Sequence, residues 1–174
     1  WSMIFWWRYK VVKTNKFLLQ VGAHPALVFR ETPMVANGLP DTAMVSRRYI
    51  ATEVSPNYFV KKYVSIGMYY LYSHGLDAGT TGNTHFVTLN ANFSNIRLNK
   101  QVYMKFFPQV YYLRMDDKAG FYTTATVTLA HRHFPLSIQS ILNQSIHTEI
   151  AGKSFVWNLS LVYAFNQEYV RKKS

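Results

Sequence analysis

Residues 155–165 read FVWNLSLVYAF. Phe155, Trp157, Leu159, Leu161, Tyr163 and Phe165 share one parity, and Val156, Asn158, Ser160, Val162 and Ala164 the other. This is the two-residue period of a strand with unlike faces. Residues 17–30 repeat it, with Phe17, Leu19, Val21, Ala23, Pro25, Leu27 and Phe29 set against Gln20, Gly22, His24 and Arg30. Seven further segments follow, at 2–12, 43–54, 58–73, 84–96, 101–115, 120–133 and 136–150. In 120–133, Ala125, Val127 and Leu129 oppose Thr124, Thr126, Thr128 and Arg132; in 136–150, Leu136, Ile138, Leu142 and Ile146 oppose Gln139, Asn143, Ser145, His147 and Glu149. No segment of comparable length carries the helical period. The chain reads as all-β, with nine strands.

Composition narrows the class. Hydrophobic residues are 49% of the 174, yet no run reaches the roughly 18 apolar residues that a bilayer-spanning helix needs. Aromatics are 17%, too many for a disordered basic tail. The absence of cysteine excludes a disulfide scaffold, a thiolate zinc site and a cysteine nucleophile. The strands, about 11–16 residues each, exceed the usual length of about 5–6 and suit a tilted membrane crossing, which takes about 9–11.

Connections give the second signal. Short ones at Thr14–Lys16, Ser55–Asn57 and Arg97–Lys100 alternate with longer ones at Glu31–Thr42, Ser73–Thr84 and Asp116–Gly120, before short turns at His133–Pro135 and Ala151–Lys153. Asn37, Gly38 and Pro40 break the first long connection, and Gly75, Gly79, Gly82 and Asn83 the second.

On these features residues 2–165 resemble the outer-membrane β-barrels of Gram-negative bacteria, whose periplasmic turns are tight and extracellular loops longer. FVWNLSLVYAF is similar to the terminal strand of that class, although here a polar tail, residues 166–174, follows Phe165. The resemblance implies an antiparallel transmembrane β-barrel over residues 1–165, porin-like in architecture, in the outer membrane. It implies a structural or accessory envelope role, alone or within a larger outer-membrane complex. Outer-membrane lipid and lipopolysaccharide are its expected partners, and no cofactor is implied. With the last strand ending in the periplasm, 31–42 and 73–84 fall outside the cell. The first of nine strands then starts on the extracellular side. Because bacterial single-chain barrels have even strand numbers, at least one further strand is expected before Trp1, giving ten or more. The alternative is a strand miscounted at 43–54, where alternation is poorest.

The formal charge of +11 comes from 19 Lys+Arg against 8 Asp+Glu. Arg8, Lys10, Lys61, Lys105 and Arg132 are expected on lumen registers, where they would either attract anions through a small pore or pack against polar neighbours. Arg47, Arg48 and Arg114 are expected at the extracellular rim, placed to meet lipopolysaccharide phosphates through guanidinium pairing. Nucleic acid is not an expected partner, because the cations are scattered over many strands and no recognition motif appears. Ser73, His74 and Asp77 form the one local trio of nucleophile, base and carboxylate, the minimum for an outer-leaflet lipid hydrolase. Adjacent strand residues point to opposite faces, so Ser73 and His74 are expected apart and the chain is not expected to be an enzyme. His24, His131, His133 and His147 show no metal-site spacing.

Overall fold

The structure, a computed structural model, describes residues 1–36 and 39–163. Phe165 and the tail 166–174 lie outside the described residues, as do Asn37 and Gly38. The described strands are β1 (Ser2–Ile4), β2 (Trp7–Lys13), β3 (Phe17–Ala36), β4 (Leu39–Lys61), β5 (Val64–Gly75), β6 (Asn83–Arg97), β7 (Val102–Met115), β8 (Lys118–His131), β9 (Leu136–Thr148) and β10 (Phe155–Tyr163). No helix among the described residues is long and apolar enough to cross a membrane.

All ten strands join one antiparallel sheet, in which β3 to β10 are neighbours in chain order. β1 and β2 both pair with β3, and in a common register: Ile4 faces Ala26 and Trp7 faces Ala23. They are one strand interrupted opposite Pro25, which has no N–H to give; the Phe5 N–H still reaches the Pro25 carbonyl at 3.0 Å. The sheet therefore has nine levels, one for each segment read from the sequence. It is open, with β1/β2 at one edge and β10 at the other, and nine antiparallel levels make these two edges run in the same direction.

Three connections differ from the sequence expectation, and the simplest case is Asp116–Gly120, which contracts to a turn at Asp116–Asp117 because β8 already begins at Lys118. Ser55–Asn57 is not a turn: β4 continues through it to Lys61, and the chain reverses at Lys62–Tyr63. Pro56 is accommodated because the β4–β5 ladder passes from Val54↔Tyr70 to Asn57↔Gly67, leaving a gap without a change of register. Pro108 in β7 has the same arrangement, facing a gap between Asn90↔Gln109 and Phe93↔Phe106. Prolines inside these strands mark missing rungs rather than strand ends. Glu31–Thr42 is likewise not a loop. The β3–β4 ladder runs on to Ala36↔Leu39, whereas β5 ends opposite Tyr49, so this hairpin extends past its neighbour as a two-stranded arm.

The two faces of the sheet have opposite character. One row on the first face reads Val64, Phe93, Phe106, Val127, Ser140 and Leu159; the nearest fully polar row on the second reads Asn57, Gly67, Asn90, Gln109, Thr124 and Asn143. The apolar face is exposed, with Ile66 at 54%, Leu89 at 56% and Leu161 at 70% of full accessibility. The buried residues His24, Ala51, Glu53, Ser55 and Thr88 all lie on the polar face, so the sheet curls towards its polar side. The chain exposes 13051 Å², about half as much again as the roughly 8,800 Å² expected of a compact monomer of 20.2 kDa.

Glycine is placed on the crowded side. A Cβ on Gly67 would stand 2.3 Å from Asn57 Oδ1 and 2.9 Å from Asn90 Oδ1, the side chains flanking it in its row. Gly67→Val is expected to lower folding stability by about 1–3 kcal/mol through overpacking. The midpoint of denaturant unfolding measures this; an unchanged midpoint would mean that the polar face is not packed at this row.

Candidate functional site

The most densely connected group on the polar face centres on Glu53, whose side chain is inaccessible to solvent. Arg8 on β2, Gly22 on β3 and Glu53 on β4 occupy one row. A Cβ at Gly22 would lie 2.7 Å from Glu53 Oε1 and 2.7 Å from the Trp7 carbonyl. Glycine at this position leaves the gap through which Arg8 reaches Glu53 over the intervening strand. The guanidinium donates through Nε to Oε1 and through Nη2 to Oε2, the latter at 3.0 Å. Tyr69 on β5 donates its hydroxyl to Oε2 at 2.6 Å, and Trp6 Nε1 stands 3.5 Å from Oε1. His24 Nε2 lies 2.8 Å from Oε2 but is misaligned for N–H donation, so both its ring nitrogens lack a directed partner. Trp6 packs edge-on to His24 with centroids 5.0 Å apart, and the Arg8 guanidinium sits 4.8 Å above the Trp6 ring.

From Tyr69 the contacts continue across the sheet. Tyr69, Phe86, Tyr111 and Tyr122 follow on β5 to β8 with successive centroid distances of 6.1, 5.3 and 4.7 Å. The Tyr111 hydroxyl donates to Asn143 Oδ1 at 3.1 Å, over β8, and the Tyr122 hydroxyl pairs with Thr148 Oγ1 at 2.7 Å. A continuous polar and aromatic network thus ties β2 to β9. Beside its Glu53 end lies a groove of about 340 Å³ with largely apolar walls, including Trp6, Ala51, Leu71 and Ser73.

This arrangement clamps strands. Both Glu53 oxygens are occupied by donors, leaving none poised as a base. Among the described residues no group of three or more His, Asp or Glu is arranged to hold a metal ion. Ser73 and His74 point to opposite faces: Ser73 lines the groove, while His74 Nδ1 lies 3.2 Å from Asn83 Oδ1. Asp77 is engaged by Arg48, so the trio is not assembled.

The five basic residues expected on one lining fall into separate places. Arg8 is committed to Glu53, and Lys10 follows it on the same face. Lys61 pairs with Val64 beyond a bulge, off the polar register. Lys105 lies on the polar face of β7, with Nζ 5.9 Å from the Tyr103 ring centroid, and shares a cleft with Arg132 of the β8–β9 connection. Four strands separate Lys10 from Lys105. Arg47, Arg48 and Arg114 share the opposite end of the sheet. Arg47 donates to the Gly79 carbonyl, Arg48 Nη2 to Asp77 Oδ1 at 2.6 Å, and Arg114 Nε to the Asp116 carbonyl at 2.9 Å. Sequence reading missed Glu53, although the signal was present: it is the only carboxylate in the segment 43–54.

Comparison with protein-family models, curated proteins and solved structures found no match.

Two outcomes are expected. Glu53→Ala strands Arg8 and His24 against a largely buried face and should cost about 3–5 kcal/mol. Adding Arg8→Ala should recover part of that loss, which a double-mutant cycle in denaturant detects; strict additivity would mean that the pair is not coupled. The Arg48 guanidinium holds the Asp77 carboxyl below its usual range. A depressed carboxylate stabilises the fold above its unfolded-state pKa of about 3.9, and that contribution is lost as pH falls through the lower folded value. Protease protection of the 76–82 connection should therefore be constant from pH 7 to about 5 and fall only in stronger acid. In Arg48→Gln that fall should begin at higher pH.

Proposed function

We propose that this chain is an integral β-barrel protein of the bacterial outer membrane, with a structural or accessory envelope role. The observation carrying this reading is the inverted distribution of its side chains. The buried residues, with the Glu53 ion pair among them, belong to the polar face, whereas most of the exposed large apolar side chains stand on the other. A soluble sheet buries its apolar face against a second layer, and the described residues form no second layer. Hydrocarbon covers such a face without further protein, which is the arrangement of membrane barrels. Trp7, Tyr9, Trp157 and Tyr163 on this face are 64, 72, 59 and 53% exposed, and such amphipathic rings suit the membrane interface.

A structural role is favoured over a pore by the filling of the polar face. Arg8 is neutralised by Glu53, and aromatic rings from Tyr69 to Tyr122 lie across the face where a conduit would run. The full chain reconstituted from native membranes is expected to resist carbonate extraction and to give no steady current across a planar bilayer. Anion-selective current that falls on neutralising Lys10 and Lys105 would replace the structural role with a pore. Release by carbonate would overturn the membrane assignment itself.

A further inference from the structure

The two ends of the sheet differ sharply in charge. At one end lie the β2–β3, β4–β5, β6–β7 and β8–β9 turns. Within four residues of these turns stand Lys10, Lys13 and Lys16; Lys61 and Lys62; Arg97 and Lys100; and Lys105 and Arg132, all nine of them exposed. No Asp or Glu among the described residues belongs to this end. At the other end six Lys or Arg meet six Asp or Glu, and three of the four arginines there are engaged, Arg48 by Asp77 and Arg47 and Arg114 by carbonyls. The +9 of the first end is therefore uncompensated within the described chain.

We infer that this basic end is a contact surface for anionic glycerophospholipid headgroups, an inference that rests on the membrane reading above. Two observations select lipid over an acidic protein. First, Lys10 and Lys105 stand on the polar face, but Lys16, Lys61, Lys62, Lys100 and Arg132 lie in or beside all four turns, matching a surrounding annulus of headgroups rather than one compact footprint. Second, three of the turns place an exposed apolar or aromatic side chain next to the cations: Tyr63 at 42%, Leu98 at 54% and Phe134 at 57%. A cation beside a half-exposed apolar group suits the boundary between headgroup and acyl chain. A phosphodiester with its attached acyl chains has the complementary chemistry.

The test uses the full chain with vesicles of phosphatidylcholine alone and vesicles containing phosphatidylglycerol. Insertion is read by protease protection, and lipid preference by retention of fluorescent phosphatidylglycerol around the inserted protein. The wild type should insert into both and enrich phosphatidylglycerol about tenfold at low salt, an enrichment that salt screens. Replacing Lys16, Lys61, Lys62, Arg97, Lys100 and Arg132 with Gln should abolish the enrichment while insertion into phosphatidylcholine persists. The variant Arg47→Gln with Arg48→Gln and Arg114→Gln should retain the enrichment. Insertion without enrichment, enrichment that survives in the six-site variant, or its loss in the arginine variant overturns the proposal alone. Insertion without enrichment but with capture of polyglutamate, competed by salt, would assign the surface to an acidic protein instead. Failure to insert into either vesicle overturns the membrane reading and this proposal together.

Discussion

A single-layered sheet cannot bury its own apolar face. Every other structural feature of this chain follows from that constraint. In a two-layered domain the apolar sides of both layers meet and water is excluded between them. Here the ladder from Phe17 to Tyr163 supplies the backbone hydrogen bonds, but Ile66, Leu89, Leu159 and Leu161 have no facing layer. At about 25 cal/mol per Å² of apolar surface, leaving such a face in water forfeits most of the stabilisation a domain of this size obtains from burial. The missing apolar phase has to come from outside the described residues, and on the membrane reading proposed above a bilayer would supply it over the whole face at once.

The polar face compensates by different means. With no large side chain fully buried among the described residues, its order comes from directional contacts. Glu53 gathers donors from β2 and β5, and the aromatic series beginning at Tyr69 extends that connection to β8. Glycine is part of this design. Gly22 and Gly67 stand between polar side chains of neighbouring strands, so small residues occur where long ones must meet across a strand. Buried ion pairs contribute little net stability compared with apolar packing but penalise alternatives heavily when one partner is displaced. A register slip of one residue in β4 would turn Glu53 to the apolar face and leave Arg8 unpaired, so the pair opposes slippage in a sheet whose strands otherwise repeat the same alternation.

The parts of the fold legible in the sequence were those controlled by period. All nine levels correspond to segments visible as alternation, because which face a residue occupies depends only on its parity within a strand. Boundaries were less legible, because Pro and Asn at 55–57 resemble a turn while the Lys62–Tyr63 reversal contains neither Gly nor Pro. Only pairing on both sides of β4 shows that Pro56 lies opposite a missing rung. The long arm was not legible, because Asn37, Gly38 and Pro40 read as loop breakers, although Asn-Gly is also a dipeptide favoured in two-residue hairpin turns. The Glu53 site was beyond sequence reading for a different reason. Arg8 and Glu53 are 45 residues apart, and their contact depends on the register of two ladders and on the absent side chain of Gly22.

The edges carry the remaining argument. Exposed edge strands in water are protected by charges, prolines or bulges. β1/β2 has such protection in Arg8, Lys10 and Lys13 and in the interruption opposite Pro25. β10, FVWNLSLVY, has no charge and no proline, and its ladder with β9 is continuous from Phe155 to Tyr163. Its outer row of N–H and C=O groups is thus a regular, unprotected surface for pairing. In hydrocarbon such a row cannot remain unsatisfied. Direct union with β1/β2 would make a parallel seam, since both edges run the same way; a fully antiparallel closure needs an odd number of additional strands between them. The same parity that assigns each side chain to a face therefore also fixes the direction of the strand that β10 is shaped to receive.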